Sequence, residues 1–195
     1  VMTDIIADVF DKLIEKPDPD LAAKLLMQQV GIISDSIFNT GNRDSNITFG
    51  ATICGVLLVG RGAVFVNLGD SRGYHLPCGL KDIKQVTRDH NVAWLLLERG
   101  ELTKSEMKGH PASSRLTRFV GMAPPSAAET FIVGITPGDR LLLCSDGLHG
   151  MVDDEIIREM ISENSEPETI CRDLINQANA NGGRDNISVV YIEII

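Results

Sequence analysis

The stretch from Ile47 to Leu68 is the feature that most restricts how this chain can fold. Its two parts, Ile47 to Val59 and Ala63 to Leu68, are apolar and rich in β-branched residues, and only Gly60-Arg61-Gly62 separates them. Apolar runs of this length around a glycine-containing turn are typical of two buried, paired strands. The stretch therefore predicts a β-hairpin within the core of the protein.

Helices are expected before this hairpin. Apolar residues at three- and four-residue spacing predict one helix over residues 2–14 and a second along Leu21 to Ile37. Pro17-Asp18-Pro19-Asp20 separates them, because proline ends a helix that precedes it. The polar stretch Asn39 to Asn46 is predicted to be a loop.

The rest of the chain predicts strands first and then helices. A second hairpin is expected around Pro77-Cys78-Gly79, and a mixed segment over 88–128 contains a capping-box pattern at Thr103-Lys104-Ser105-Glu106. The remaining predicted elements are a strand pair of Thr130–Gly134 and Arg140–Ser145, a helix over Asp153–Ser162, a helix opened by a capping box at Ser165–Glu168 and ended by Gly182-Gly183, and a strand over Ile187–Ile195.

This order of elements predicts the fold class. Helices and strands are clustered rather than alternating, which argues against a parallel βαβ sheet and for a layered α+β fold. At 195 residues, without repeats or an interdomain linker, the chain is expected to be a single domain.

Composition excludes several functions. A net charge of −9 makes the chain a poor binder of nucleic acid or of an anionic membrane. The four cysteines form no C-x-x-C pair, so we expect reduced core or near-core residues rather than zinc ligands or disulfides. No signal peptide or apolar run long enough to span a bilayer is present, which predicts a cytoplasmic protein without a membrane partner.

Three aspartates stand at the ends of predicted strands. Asp70 follows the strand from Ala63, Asp146 follows the strand from Arg140, and Asp185 directly precedes the last strand. Carboxylates at strand ends suit a hard cation such as Mg²⁺ or Mn²⁺, which prefers oxygen ligands. Turn and cap formation is the alternative for each aspartate taken singly.

A series of short motifs in fixed order resembles the PPM-type (type 2C) metal-dependent protein serine/threonine phosphatases, especially bacterial ones. The motifs are Gly50-Ala51-Thr52, Gly69-Asp70-Ser71-Arg72, Asp89-His90, Arg115-Leu116-Thr117-Arg118, Ser145-Asp146-Gly147-Leu148 and Gly183-Arg184-Asp185-Asn186. The resemblance implies two stacked antiparallel β-sheets flanked by helix pairs. It also implies hydrolysis of phosphoserine and phosphothreonine by a water that two Mn²⁺ or Mg²⁺ ions activate.

The resemblance also assigns roles to individual residues. Asp146 and Asp185 correspond to ligands of a catalytic metal ion, and Asp89 to the ligand of a third, weaker ion. Asp70 and Arg72 correspond to a motif that supports the site. The segment 88–128 corresponds to the flap over the active-site cleft. His149 corresponds to a position that is not catalytic, and His75 and His110 are expected on the surface or in loops.

Two motifs that precede these in the family do not occur in the 195 residues. They carry a phosphate-contacting arginine, an aspartate that bridges both metal ions and a proposed general-acid histidine, so the catalytic residues themselves stay unassigned. From this we expect a domain lacking its N-terminal strands, weak or absent activity in the isolated chain, and an exposed sheet edge that favours dimerisation.

Two functions from different classes remain open. As an enzyme, the protein would act on phosphoproteins, among them substrates of a cognate serine/threonine kinase. The alternative is a non-catalytic phosphatase-fold module that binds a partner or senses metal.

Overall fold

The computed structural model describes residues 17–42, 49–80, 82–123, 126–162 and 166–195. The helix expected over 2–14 lies outside this range, as do residues 43–46 of the loop expected over Asn39 to Asn46. The first half of that loop prediction is wrong, because residues 39–42 continue from the preceding helix as a π-helical turn. The elements in chain order are α1 (Pro19–Ile37), a π-helical turn (Phe38–Asn42), β1 (Ile53–Val59), β2 (Gly62–Leu68), β3 (Arg72–Leu76), β4 (Lys84–Gln85), α2 (Val92–Glu98), α3 (Lys104–Met107), a 3₁₀ turn (Pro111–Ser114), β5 (Glu129–Gly134), β6 (Arg140–Cys144), α4 (Asp146–His149), α5 (Asp154–Ser162), α6 (Pro167–Ala180) and β7 (Val189–Glu193).

The described residues form two compact units. The first comprises the described parts of Val1–Gly69 and Arg118–Ile135, and the second comprises the described parts of Asp70–Thr117 and Thr136–Ile195. All five residues to which a metal-binding or supporting role is assigned above fall within the second unit.

The first unit is built on the hairpin predicted from Ile47 to Leu68, and the hairpin is confirmed. Strand β1 pairs antiparallel with β2, β2 pairs antiparallel with β5, and every residue of β2 is buried. Helix α1 also matches its prediction; the carboxylate of Asp18 caps it by accepting hydrogen bonds from the backbone N–H groups of Asp20 and Leu21 (3.0 and 3.2 Å). Apolar residues of α1 pack on Val59, Val64 and Val66 of the sheet.

A glycine allows the chain to leave β2. Gly69 has φ +131°, and a Cβ atom there would lie 2.3 Å from Cγ2 of Thr52. Only a residue without a side chain accommodates both the positive φ and this contact. The Gly50-Ala51-Thr52 and Gly69-Asp70 motifs therefore meet in the structure for a packing reason.

The second unit contains a four-stranded antiparallel sheet in the order β4-β3-β6-β7. One face is covered by α5 and α6, and its core contains the fully buried side chains of Tyr74, Leu142, Leu148, Ile157 and Leu174. The predicted hairpin around Pro77-Cys78-Gly79 is confirmed as β3 and β4, although β4 is only two residues long.

The prediction that Thr130–Gly134 and Arg140–Ser145 form a strand pair is wrong. Strand β5 pairs with β2, whereas β6 lies between β3 and β7 in the other sheet. The turn between them folds instead around the carboxylate of Asp139, which accepts hydrogen bonds from the backbone and hydroxyl of Thr136 and from the backbone N–H of Cys78. A turn held in this way does not bring the two strands into register.

The expectation that His75 lies on the surface or in a loop is wrong, because His75 binds the same Asp139 carboxylate inside the protein. This histidine lies on β3, is 7% exposed, and donates from Nε2 to Oδ2 of Asp139 (2.9 Å). It is therefore a buried side chain with a partner rather than a surface or loop residue. Its partner is 64 residues away in sequence, which is why the pattern around His75 did not indicate it.

The cysteines are free, as expected, but they do not all lie in the core. Cys144 is buried and Cys54 and Cys171 are half-buried, whereas Cys78 is exposed in the turn after β3. Burial raises the pKa of the Cys54 thiol to about 12, so this thiol is unreactive at neutral pH.

Two antiparallel sheets with accompanying helices confirm the α+β fold class. Helices α5 and α6 provide the expected helix pair on the second sheet. Helix α6 begins at Pro167 with Glu166 as its N-cap, and the serine expected as its cap, Ser165, lies outside the described residues. No helix in the described part of the chain has the length and apolar character needed to cross a membrane.

Candidate functional site

The candidate residues converge on one cleft. Asp70, Arg72, Asp89, Asp146 and Asp185 all line a cavity of about 670 Å³ within the second unit. These residues are spread over more than one hundred positions of the chain, so the fold brings together what the sequence separates. Their roles as ligands or supporting residues stay predictions.

The sheet register explains why these side chains meet. Cys144 at the end of β6 pairs with Arg72 on one side and with Val189 on the other. Asp146 therefore follows the central strand at the same end of the sheet where β3 begins. Asp185 lies just before β7 begins at this end.

Ser145 fastens the two aspartate segments to each other. Its backbone N–H donates to the carbonyl of Ser188 (3.1 Å), its Oγ donates to the carbonyl of Asn186 (3.1 Å), and the N–H of Ser188 donates to its Oγ (3.0 Å). Asp146 and Asp185 are thereby held on adjacent segments. The motif contains Ser145 directly before Asp146, but the sequence alone does not indicate that this serine joins the two segments.

Gly147 permits this close approach. A Cβ atom at position 147 would lie 2.3 Å from the carbonyl oxygen of Asn186, a backbone atom that cannot rotate away. The glycine after Asp146 is thus required by the distance between two backbone segments. Any larger residue would push the Asp185 segment away from Asp146.

We expect Gly147→Ala to separate the two carboxylates and to lower the free energy of unfolding by about 2 kcal/mol, because a rigid backbone contact must be relieved. Urea denaturation of the variant measures the loss. Gly134→Ala is the matched control, since a Cβ at position 134 meets nothing within 4 Å. Equal stability of the two variants would contradict the assigned role of Gly147.

The electrostatics of the cleft favour a cation. Burial, followed by the negative charge of Asp185, raises the pKa of Asp146 above its usual value. Burial and then the charge of Asp146 raise the pKa of Asp70 to about 6. Carboxylates that disfavour one another's charge in this way are stabilised when a divalent ion lies between them.

The donor set also suits a hard cation, since it consists of carboxylate oxygens. Among the described residues, however, no group of three or more histidine, cysteine or acidic side chains is arranged to hold a metal ion. If Asp146 and Asp185 bind an ion as predicted, they would provide only part of its coordination sphere, and water, substrate or further residues would fill the other positions.

Asp89 is held by Arg72 rather than directed freely into the cleft. Arg72 donates from Nε to Oδ1 (2.9 Å) and from Nη2 to Oδ2 (2.7 Å) of Asp89, and Gln85 donates from Nε2 to Oδ1 (2.8 Å). The side chain of Asp89 is 1% exposed. A planar guanidinium that binds both oxygens of a buried carboxylate is a strong, specific pair.

The ion pair extends to two further residues that the sequence did not indicate. Nη1 of Arg72 donates to the hydroxyl of Tyr74 (3.1 Å), which donates to Oδ1 of Asp154 (2.9 Å). Burial raises the pKa of Tyr74 well above its usual value, so the phenol stays neutral. Arg72 and Tyr74 are two positions apart on β3, and residues two apart in a strand lie on the same face of the sheet. This spacing is the sequence signal that links the two side chains.

His149 lies in the cleft as a neutral histidine. Its Nε2 donates to the backbone carbonyl of Asp70 (2.9 Å). Burial, and next the positive charge of Arg72, lower its pKa to about 4. The side chain thus fixes the Asp70 backbone beside Asp146, a role that position alone did not indicate.

This pKa shift predicts a pH-dependent contribution to stability. Since His149 binds a proton more readily when unfolded, its contribution is full above its ordinary pKa of 6.5 and is lost as the pH falls towards 4. We expect the difference in unfolding free energy between wild type and His149→Gln to shrink by about 2 kcal/mol from pH 7 to pH 4.

The comparison of the variant with wild type is necessary because the titration of Asp70 changes the unfolding free energy with pH in the opposite direction. Its raised pKa favours the folded state at low pH, and this contribution is lost as the pH rises through about 6. Urea denaturation of both proteins at several pH values measures the effect. A pH-independent difference would show that His149 does not titrate as its burial requires.

One wall of the cleft comes from the segment after β4. Helix α3 carries the predicted capping box: Oε2 of Glu106 accepts from the backbone N–H of Thr103 (2.8 Å), while Oγ1 of Thr103 accepts from the N–H of Glu106 (3.4 Å). Lys108, just after α3, forms an ion pair with Asp153, which follows α4. Lys104, Lys108 and His110 all face the cleft.

Comparison with known proteins found related phosphatases. The chain is 35% identical over 144 residues to the serine/threonine phosphatase stp of Listeria monocytogenes, covering 74% of this chain and 56% of that protein. The chain thus spans just over half the length of such curated relatives. No protein-family model matches it.

Solved structures give the same result over a larger share of the chain. The PPM Ser-Thr phosphatase MsPP from Mycobacterium smegmatis, in complex with cacodylate, is 30% identical with a TM-score of 0.78, covering 97% of this chain and 80% of that one. The catalytic domain of the phosphatase PstP in complex with two manganese ions is 26% identical with a TM-score of 0.78, covering 100% and 81%.

Proposed function

Because the chain belongs to the bacterial PPM-type family of protein serine/threonine phosphatases, we propose that its protein hydrolyses phosphoserine and phosphothreonine on other proteins with the help of Mn²⁺ or Mg²⁺. One observation carries the proposal. Asp146 and Asp185, on segments tied together by Ser145, lie in a cleft that Asp70, Arg72 and Asp89 also line.

Asp146 and Asp185 would hold the metal ion, since the Ser145 contacts hold their segments together and the charge of Asp185 contributes to the raised pKa of Asp146. The manganese ions of the PstP structure favour this kind of ion. When bound, such ions act as Lewis acids towards a phosphate ester and acidify water at neutral pH. The reaction then needs no covalent intermediate with the protein.

The surrounding residues would keep this arrangement in place. Arg72 holds Asp89 and Tyr74, and the Tyr74 hydroxyl in turn donates to Asp154, whose carboxylate lies 3.7 Å from Arg72. His149 fixes the backbone of Asp70. If Asp89 holds a third ion, its carboxylate must first give up at least one bond to Arg72 or Gln85.

The isolated 195 residues are proposed to be weakly active. The described residues contain no group of three or more side chains arranged to hold a metal ion. Ions would therefore bind loosely, and turnover would be slow. A non-catalytic partner-binding function has no support among the relatives, which are named as phosphatases. A cognate kinase, dimerisation and a cytoplasmic location stay predictions.

Hydrolysis of p-nitrophenyl phosphate and of a phosphoserine peptide tests the proposal. The protein from the complete reading frame and the isolated 195 residues are assayed with Mn²⁺, with Mg²⁺ and with a chelator. We expect metal-dependent hydrolysis by the former and little by the latter. No hydrolysis of either substrate by the complete protein, or hydrolysis that survives the chelator, would overturn the proposal.

A further inference from the structure

Basic side chains line the cleft although the chain as a whole is acidic, with a net charge of −9. Lys104 and Lys108 come from the α3 segment, and Arg184 from the segment before β7. Arg184 directly precedes the proposed ligand Asp185. These cations therefore face the space that a bound phosphopeptide would occupy.

Two of these cations are not neutralised by any residue that the structure describes. Lys108 pairs with Asp153. Lys104 and Arg184 are exposed, and neither has an ion-pair or hydrogen-bond partner anywhere in the described ranges. An exposed cation without a partner in a cleft is available to a ligand.

The nearest acidic side chain in sequence does not neutralise Lys104. The carboxylate of Glu106 turns back to the start of α3, where it accepts hydrogen bonds from the backbone N–H and the hydroxyl of Thr103 (2.8 and 2.7 Å). The capping box thus separates the charge of Glu106 from the cleft-facing side of α3.

The acidic residues of the cleft are also accounted for. Asp89 and Asp154 both lie within ion-pair distance of Arg72 (2.7 and 3.7 Å), and Asp153 pairs with Lys108. Asp146 and Asp185 are the proposed metal ligands, and Asp70 lies beside them, so that bound ions would offset the charges of this group. Lys104 and Arg184 therefore remain the cations of the cleft that no acidic side chain in the described part of the chain neutralises.

We propose that Lys104 and Arg184 bind acidic side chains flanking the phosphorylated residue, so that the cleft selects phosphoserine and phosphothreonine in acidic sequences. The inference rests on the proposed phosphatase function. Complementary charges around a binding site raise association rates and exclude partners of like charge, which makes them a source of specificity.

Binding of two phosphoserine peptides tests the inference. One carries glutamates on both sides of the phosphoresidue and the other lysines, and both contain a non-hydrolysable phosphonate. Fluorescence anisotropy with the Mn²⁺-loaded protein from the complete reading frame gives the two Kd values. We expect the acidic peptide to bind about tenfold more tightly, with a ratio that shrinks as salt is raised.

Variants assign the preference to the two residues. Lys104→Glu and Arg184→Gln are each expected to reduce the ratio of Kd values about three- to tenfold. Lys24→Glu is the matched control: Lys24 is exposed on α1 in the other unit, and its substitution changes net charge as Lys104→Glu does. The control should leave the ratio unchanged.

The outcomes separate this inference from the function on which it rests. Equal binding of the two peptides, or a preference that both cleft variants retain, overturns the inference. The same result follows if Lys24→Glu lowers the ratio as much as Lys104→Glu, since net charge alone would then explain it. Hydrolysis of p-nitrophenyl phosphate, measured in parallel, tests the phosphatase function independently.

Discussion

Asp146→Asn and Asp185→Asn are each expected to lower kcat/KM for a phosphoserine peptide at least about a hundredfold. An amide provides one neutral oxygen where the carboxylate provides a negative charge, and Lewis-acid stabilisation by a metal ion is worth several kcal/mol. The two residues lie on segments that Ser145 ties together, so loss of either removes half of the paired carboxylates.

Steady-state kinetics over a Mn²⁺ titration, together with calorimetric Mn²⁺ binding, measures the effect in the protein from the complete reading frame. Asp173→Asn is the matched control, because Asp173 is an exposed carboxylate on α6 away from the cleft. Wild-type rates and wild-type Mn²⁺ affinity in either cleft variant would show that the ligand assignment is wrong.

Arg72→Ala is expected to lower the free energy of unfolding by about 3 kcal/mol. The substitution leaves the carboxylate of Asp89, which is 1% exposed, without its cationic partner, and a buried charge without a partner is costly. It also removes the donor to the Tyr74 hydroxyl. Arg72→Lys is expected to recover only part of the loss, since an ammonium group cannot bind both carboxylate oxygens in the same geometry.

Urea denaturation gives these values, and Arg61→Ala, at an exposed arginine in the turn after β1, is the control. A loss below about 1 kcal/mol for Arg72→Ala would mean that the pair behaves like a surface salt bridge.

Calorimetric Mn²⁺ binding by Asp89→Asn separately tests the predicted third metal site, since an anchoring role alone leaves the number of bound ions unchanged.

Short-range patterns predicted most elements of the fold. The hairpin of β1 and β2, helix α1 and the capping box at Thr103 depend on residues within a few positions of each other, and all three are confirmed. Helix α2 was not predicted, because its apolar run is short and lies in a segment of mixed composition. Short helix α4 was missed for a similar reason, since its four residues are too few to show a period.

Contacts between distant segments could not be predicted in this way. The pairing of His75 with Asp139 joins residues 64 positions apart, and that of Arg72 with Asp89 spans 17. Neither pair shows a spacing that marks it in the sequence. Strands β5 and β6 were assigned to each other because they are neighbours along the chain, yet their partners are set by sheet register.

The sequence by itself determined which segments are strands and helices and which carboxylates stand at strand ends, because burial and backbone preference leave periodic local patterns. Only the tertiary structure decided that Asp146 and Asp185 lie on adjacent segments, that Gly147 must be a glycine, that Arg72 holds Asp89, and that no described residue neutralises Lys104 or Arg184 in the cleft. These outcomes depend on distances between segments far apart in the chain, and such distances exist only once the sheet register is fixed.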